Sequence, residues 1–141
     1  MADYDPDNVF AKILRAEFPC HKVHEDDNTL VIMDIMPRGA GHVLVIPKVP
    51  SRNILDIEPK DLAALYAMVQ RMARAALRAF GADGVTIQQF NEPAGGQVVF
   101  HSHVHVIPRH EGVALKPHTG ERADDTMLAA QAEKLRAALA R

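Results

Sequence analysis

Only one cysteine, Cys20, occurs in the chain, so an intramolecular disulfide is excluded and a reducing compartment suits the protein. Charge of one sign is lacking too. The formal net charge is −2, which excludes the broad cationic field that non-specific nucleic-acid binding needs. No stretch approaches the roughly 18–20 consecutive apolar residues of a membrane span. The opening run from Met1 to Asp7 is acidic and has no apolar segment, unlike a secretory signal. Internal repeats and low-complexity segments are missing as well. These absences lead to the expectation of a cytoplasmic protein with neither a nucleic-acid partner nor a membrane partner. With 141 residues and an apolar fraction of 48%, one domain spanning 1–141 has enough material for a real core.

Periodicity and punctuation then outline the elements. Asp7 and Asn8 are good N-cap types before Val9, Phe10, Ile13 and Leu14, so a first helix is expected there, ending towards Pro19. Two strands at 22–25 and 29–33 flank the turn-type cluster Asp26-Asp27-Asn28. The loop Pro37-Arg38-Gly39-Ala40-Gly41 feeds a strand at 42–46 that is apolar on both faces and therefore central. The strongest helix starts at Pro59 and stops at Gly81. Its stripe of Leu62, Leu65, Tyr66, Val69, Met72, Ala73, Ala76 and Phe80 is a packing face. Strands are expected at 85–90 and 98–107, the second closed by Pro108, then an extended loop over 109–122 and a last helix from Asp124 or Asp125. This order predicts an α+β fold with a mainly antiparallel sheet, a long central helix and a C-terminal helix.

Against this ordinary background stands one unusual segment, His101-Ser102-His103-Val104-His105. On a strand, alternate side chains share a face, so the three imidazoles would line up about 6–7 Å apart. Two chemistries fit such a row. An imidazole is a competent nucleophile near neutral pH when a hydrogen bond at one nitrogen leaves the lone pair on the other. His103, with a histidine on each side, suits attack on phosphorus, where positioning and charge stabilisation carry most of the catalysis. Gly95 and Gly96 just upstream allow backbone N–H groups close to an anion, and Asn91 and Gln97 add neutral donors. Histidines at i and i+2 are also common zinc ligands. No acidic residue beside the run orients the ring nitrogens as in many zinc sites. From the residues alone both chemistries stay open, with the nucleophile favoured.

The run His101 to Ile107 resembles the histidine triad (HIT) pattern of His–apolar–His–apolar–His–apolar–apolar. The resemblance extends from about Asn8 to Arg109. Gly41-His42-Val43-Leu44-Val45-Ile46-Pro47-Lys48 is similar to the family's central strand with its fourth histidine, Asp34-Ile35 precedes it, and Asn91 with Gly95-Gly96-Gln97 matches its phosphate loop. The tail from Gly112 to His118 resembles the bacterial general-purpose branch, related to nucleoside phosphoramidate hydrolases, with the core at about 8–109 and the extension at 110–141.

The resemblance implies nucleotidyl transfer to water through a nucleotidyl-histidine. His103 would attack the α-phosphate of a purine nucleoside monophosphate conjugate. His101 and His105 would contact phosphate oxygens and the leaving group, and His42 would support the nucleophile. Asp34 would accept from the ribose hydroxyls with Ile35 against the sugar. Phe10, Ile13 and Ile32 would wall the purine, and Asn91, Gly96 and Gln97 would bind phosphate. The family also implies a homodimer. No metal or cofactor is expected. Phosphoramidates are the favoured substrates; dinucleoside polyphosphate hydrolysis and a nucleotide-binding adaptor with incidental turnover are the alternatives.

Bland roles compete at several positions. Phe10, Ile13 and Ile32 suit any core, Asp34 suits a strand end, and His42 on an apolar strand suits a satisfied buried histidine. His21, His24, His110 and His118 receive no chemistry. Three departures from the family matter. Ser102 replaces a bulky apolar residue, so its hydroxyl needs a partner or a less buried setting. Val98 stands where many relatives carry a hydroxyl. Asn8 and Ala11 replace a Cys pair that holds structural zinc in some relatives, so that zinc site should be absent.

Overall fold

A computed structural model of the chain describes residues 2–117 and 120–141; His118 lies outside the described residues. Among them are three α-helices and five strands: α1 (Val9–Leu14), β1 (Lys22–Glu25), β2 (Thr29–Met33), β3 (Val43–Pro47), α2 (Pro59–Phe80), β4 (Gly84–Gln88), β5 (Val104–Arg109) and α3 (Asp125–Leu139). The strands form one sheet in the order β1-β2-β3-β5-β4, and every neighbouring pair is antiparallel. The α+β expectation therefore holds.

Alternation splits the sheet into two faces. Val31, Met33, Val43, Val45, Val104 and Val106 point to one side, where they pack with Leu65, Met68, Val69 and Met72 of α2 and with Leu128, Ala132 and Leu135 of α3. Each large side chain buried there contributes about 1.5–3 kcal/mol against exposure. The opposite face carries Leu30, Ile32, Leu44 and Ile46, and the short α1 covers it through Phe10, Ile13 and Leu14, with Cys20 and Val99 beside them. That thin cover leaves room for a site.

Local signals explain the ends of the elements. The Asn8 side chain caps α1 by accepting from the Ala11 N–H at 2.9 Å. Pro59 opens α2 and Gly81, at φ 57°, closes it in the left-handed conformation. Gly41 at φ 82° is required twice over, because a Cβ there would lie 2.4 Å from the Phe80 ring.

Several expectations are corrected. Helix α1 stops at Leu14, well before Pro19, and the chain reverses at Ala16 with φ 61°. Tyr66 leaves the packing stripe of α2 and donates from its hydroxyl to Gln89 Oε1, while Met68 and Ala75 are buried in its stead. Pro108 does not close β5 but pairs with Val85 inside it. There β5 has passed its last β3 partner, the Val43–Val106 pair, and a strand with one neighbour tolerates a residue without N–H.

The most consequential correction concerns the histidines: β5 begins at Val104, not at Val98. His101 and His103 therefore precede the ladder, and only His105 lies in it. The Pro47 carbonyl at the end of β3 accepts from the His101 ring at 2.8 Å instead of from a backbone N–H, and the Ser102 N–H turns to the Ser51 carbonyl at 2.8 Å.

Candidate active site

Each histidine ring can be assigned a tautomer from the group it faces, because a carbonyl only accepts and an amide N–H only donates. His103 Nδ1 lies 2.6 Å from the His101 carbonyl, so Nδ1 carries the proton and the lone pair of the neutral ring is on Nε2. The Phe10 ring stands edge-on to His103 at 4.8 Å and holds its plane. His42 Nδ1 is reached by the Arg38 backbone N–H at 3.0 Å, so the His42 proton is on Nε2. That nitrogen lies 2.9 Å from His105 Nδ1, which must accept. The proton of His105 is then on its own Nε2. The His103 and His105 rings meet at 5.3 Å. A lone pair and an N–H donor thus stand on adjacent rings, each set by a backbone group.

Asp34 closes this cluster. Its Oδ1 accepts from the Met36 N–H at 2.8 Å and its Oδ2 is 3.4 Å from His42 Nε2. Burial raises the carboxyl above its ordinary pKa, and the Met36 N–H opposes that rise. Asp34, His42 and His105 offer ligand atoms within 4.8 Å of one another, so they are the group to test for a metal. The test fails at His42. A ligating imidazole donates from its other nitrogen to an acceptor, whereas His42 Nδ1 faces a donor. The wiring suits protons, not a metal.

His101 sits apart from this pair. Its Nε2–H donates to the Pro47 carbonyl at 2.8 Å, and its Nδ1 accepts from the Tyr4 hydroxyl at 2.6 Å. Both nitrogens are engaged within the chain, and burial pushes the ring's pKa below the ordinary histidine value against the pull of the Pro47 carbonyl. With both nitrogens bonded within the chain, the His101 ring anchors the segment that carries His103. Ser102 is buried, and its hydroxyl finds the partner it needs in the Ser51 hydroxyl at 2.8 Å.

The loop at 91–97 is built in a similar way. Gln97 is only 5% exposed. Its Nε2 donates to the Arg52 and Val99 carbonyls at 2.7 and 3.0 Å, and its Oε1 accepts from Glu92 N–H and Asn53 Nδ2 at 2.8 and 3.0 Å. All the polar atoms of the amide are thus bonded within the loop. Asn91 Oδ1 likewise accepts from the Ile54 N–H at 2.9 Å. Gly96 is exposed at φ 94°, and its N–H donates to the Pro93 carbonyl at 3.0 Å, closing the turn. Glu92 holds the strained φ of 67° through a two-point bond to Arg52, at 2.7 and 3.2 Å, and Arg52 stacks on Phe100 at 4.1 Å. The guanidinium keeps the Glu92 carboxyl below the usual range.

Of the apolar residues expected around a base, Phe10 and Ile32 are buried in the core beneath α1, Ile13 is half-buried, and Ile35 is 41% exposed. A cavity of about 540 Å³ lies beside them at the end of α1, lined by Ile13, Leu14, Phe18, Pro19, Cys20 and Leu30 among others. It shares Ile13 with the expected base wall and contains none of the histidines. Sequence reasoning missed Tyr4, Arg38, Arg52, Asn53 and Glu92. Arg38 acts on His42 through its backbone, so no side-chain signal exists for that contact. The others pair across 39 to 97 positions, beyond the reach of any local pattern.

Residues 15–112 match the HIT domain family. The chain is 42% identical over 105 residues to the adenylylsulfatase HINT3 of Arabidopsis thaliana, covering 74% of this chain and 53% of that protein; it thus spans about half of that relative's length. An uncharacterised HIT-like protein of Mycobacterium tuberculosis is 40% identical over 104 residues, 74% of this chain and 72% of its own. A crystal structure of a HIT-like protein involved in cell-cycle regulation from Bartonella henselae superposes with a TM-score of 0.91 at 46% identity, covering 96% of this chain and 99% of that one. A zinc-bound histidine triad family protein from Mycobacterium smegmatis gives 0.85 at 39% identity, with 95% and 94% covered.

Proposed function

The chain belongs to the histidine triad family, and from that premise we propose that it hydrolyses purine nucleoside monophosphate conjugates, phosphoramidates foremost, at the α-phosphate. His103 Nε2 attacks phosphorus, a P–N bond to the ring forms, and the bond to the leaving group breaks. The leaving nitrogen or oxygen takes the proton from His105 Nε2. His42 then passes its own Nε2 proton towards His105 Nδ1, so the pair is one proton short until the second half, while the nucleotidylated His103 ring carries the compensating positive charge with its Nδ1–H held by the His101 carbonyl. Water attacks the nucleotidyl-histidine in the second half, and the same ring pair accepts its proton.

One observation carries this reading: the tautomers of His103 and His105 are set, by the His101 carbonyl and by the Arg38 N–H acting through His42, so that a nucleophile adjoins an acid. Asp34 also suits acceptance from ribose hydroxyls, with Ile35 beside the sugar and Ile13 towards the base. Phe10 and Ile32 back that wall. Asn91 and Gln97 shape the loop at whose exposed Gly96, without a side chain, phosphate can approach closely. No metal enters the reaction.

A homodimer accords with the unpaired edge of β4, where Ile87 is 39% exposed. A cytoplasmic setting accords with the lone cysteine, and no helix among the described residues is long and apolar enough to cross a membrane.

The experiment is single-turnover cleavage of adenosine 5′-phosphoramidate, with acid-free trapping of adenylylated protein and mass mapping of the modified residue. Adenylate on His103 is expected. His103→Ala should lose more than about 10⁴-fold in turnover while AMP affinity stays within about tenfold. Equal activity in that variant would refute the mechanism.

A further inference from the structure

We propose that Tyr4 is a positioning residue for the nucleophile, acting through His101; this rests on the reading of His103 above. Tyr4 belongs to the acidic opening run and reaches a partner 97 positions away. The run is fastened. Asn8 Nδ2 donates to the Asp5 carbonyl at 2.7 Å, Arg15 Nη1 to the Pro6 carbonyl at 2.8 Å, and the Asp7 N–H to the Asp5 carboxylate at 2.9 Å. These bonds tie the segment to both ends of α1, the helix that also presses Phe10 on His103.

The half-buried phenol meets His101 Nδ1 at 2.6 Å, with the rings edge-on at 5.6 Å. Since the Pro47 carbonyl keeps the proton on His101 Nε2, Nδ1 is an acceptor inside a residue only 1% exposed, and Tyr4 supplies the donor. With both ends held, the His101 ring cannot rotate. Its own carbonyl holds His103 Nδ1–H at 2.6 Å, and Ser102 between them is pinned to Ser51 by backbone and hydroxyl. Loss of the Tyr4 hydroxyl frees the ring, and the displacement passes through two residues of backbone to the group that sets the nucleophile's tautomer.

A Tyr4 that merely plugs the surface over His101 would alter stability and leave the chemistry of the folded protein unchanged. The test uses the full-length protein, Tyr4→Phe, His101→Ala and the double variant. Adenylylation is timed in single turnover on adenosine 5′-phosphoramidate, well below each unfolding temperature. Tyr4→Phe should slow adenylylation about tenfold with AMP affinity unchanged within about twofold. In the His101→Ala background the same change should matter less than about twofold, because the path is already cut. Histidine-ring NMR of the resting protein should show faster exchange of the His103 Nδ1 proton in Tyr4→Phe and a mixture of tautomers at His101. An unchanged rate in Tyr4→Phe, or equal slowing with and without the His101 ring, would overturn the proposal. If the wild type forms no adenylyl-histidine, the proposed hydrolysis falls and the NMR measurement alone decides on Tyr4: an equally protected His103 proton in Tyr4→Phe refutes its role.

Discussion

Replacing Gln97 by Glu keeps the shape of the side chain and inverts half of its hydrogen bonding. In the native loop, Nε2 donates to the carbonyls of Arg52 and Val99 at 2.7 and 3.0 Å, and the residue is 5% exposed. In Gln97→Glu an oxygen takes the place of that NH₂ and faces two carbonyl oxygens. Each lost bond is worth about 0.5–1.5 kcal/mol net, and each buried carbonyl left unpaired costs about 1–3 kcal/mol. With partial relief by loop movement, the loss at pH 7 comes to about 3–5 kcal/mol, the range for an uncompensated buried charge. At about 3 °C per kcal/mol for a domain of this size, Tm should fall by about 10–15 °C. The pH dependence has a definite sign. Facing acceptors, the introduced carboxyl has a folded-state pKa above its unfolded value of about 4.3. The destabilisation is therefore smallest below about pH 4.3, where both states are protonated, and grows as pH rises through the folded-state pKa. Thermal unfolding of variant and wild type in parallel from pH 4 to 8 measures the difference. A fall in Tm of less than about 3 °C at pH 7, or a difference that shrinks as pH rises, would refute the assignment of Nε2 as the donor to both carbonyls.

Other expectations follow from the same geometry. Asp34→Asn removes the charged acceptor and should weaken ribonucleotide binding by about 1.5–3 kcal/mol while changing 2′,3′-dideoxy analogues much less; equal weakening in titration calorimetry would make Asp34 structural. His101, whose pKa burial lowers, favours the neutral ring in the folded state, so its contribution to stability is present above about pH 6.5 and lost as pH falls through the folded-state value. His101→Gln should accordingly flatten the urea-midpoint profile below about pH 6.5. Exhaustive chelation should leave turnover intact and added zinc should inhibit it, since zinc on the rings competes with phosphorus for the same nitrogen lone pairs. Activity lost on chelation and restored by about one zinc per chain would favour a metal reading of the triad.

Reading of the linear chain reached far where the information is local. Strands β1 and β2 and helix α2 lie where their periodicity and punctuation put them, because Pro59, Gly81 and the Asp26-Asp27-Asn28 turn act on their own neighbours. The histidine pattern marked a candidate site for the same reason: residue types that carry chemistry are visible without coordinates. Local rules failed where a distant group wins. The run at 98–103 alternates like a strand, yet opposite it β3 ends on Pro47, which has no N–H, the His101 side chain takes the Pro47 carbonyl, and the Ser102 N–H turns to Ser51.

By itself, then, the sequence determined the α+β class, the order of the elements and the family, and it singled out the histidines as candidates. Tertiary structure alone decided which nitrogen of each ring holds the proton, since that depends on whether an N–H or a carbonyl arrives from Arg38, Pro47, Tyr4 or the His101 backbone. It also decided that Gln97 and His101 spend their polar atoms on the protein, and that the His103 and His105 rings meet at 5.3 Å. Hydrogen-bond partners are chosen by approach in space, across as many as 97 positions here, and the spacing of residues along a chain does not encode which donor meets which acceptor.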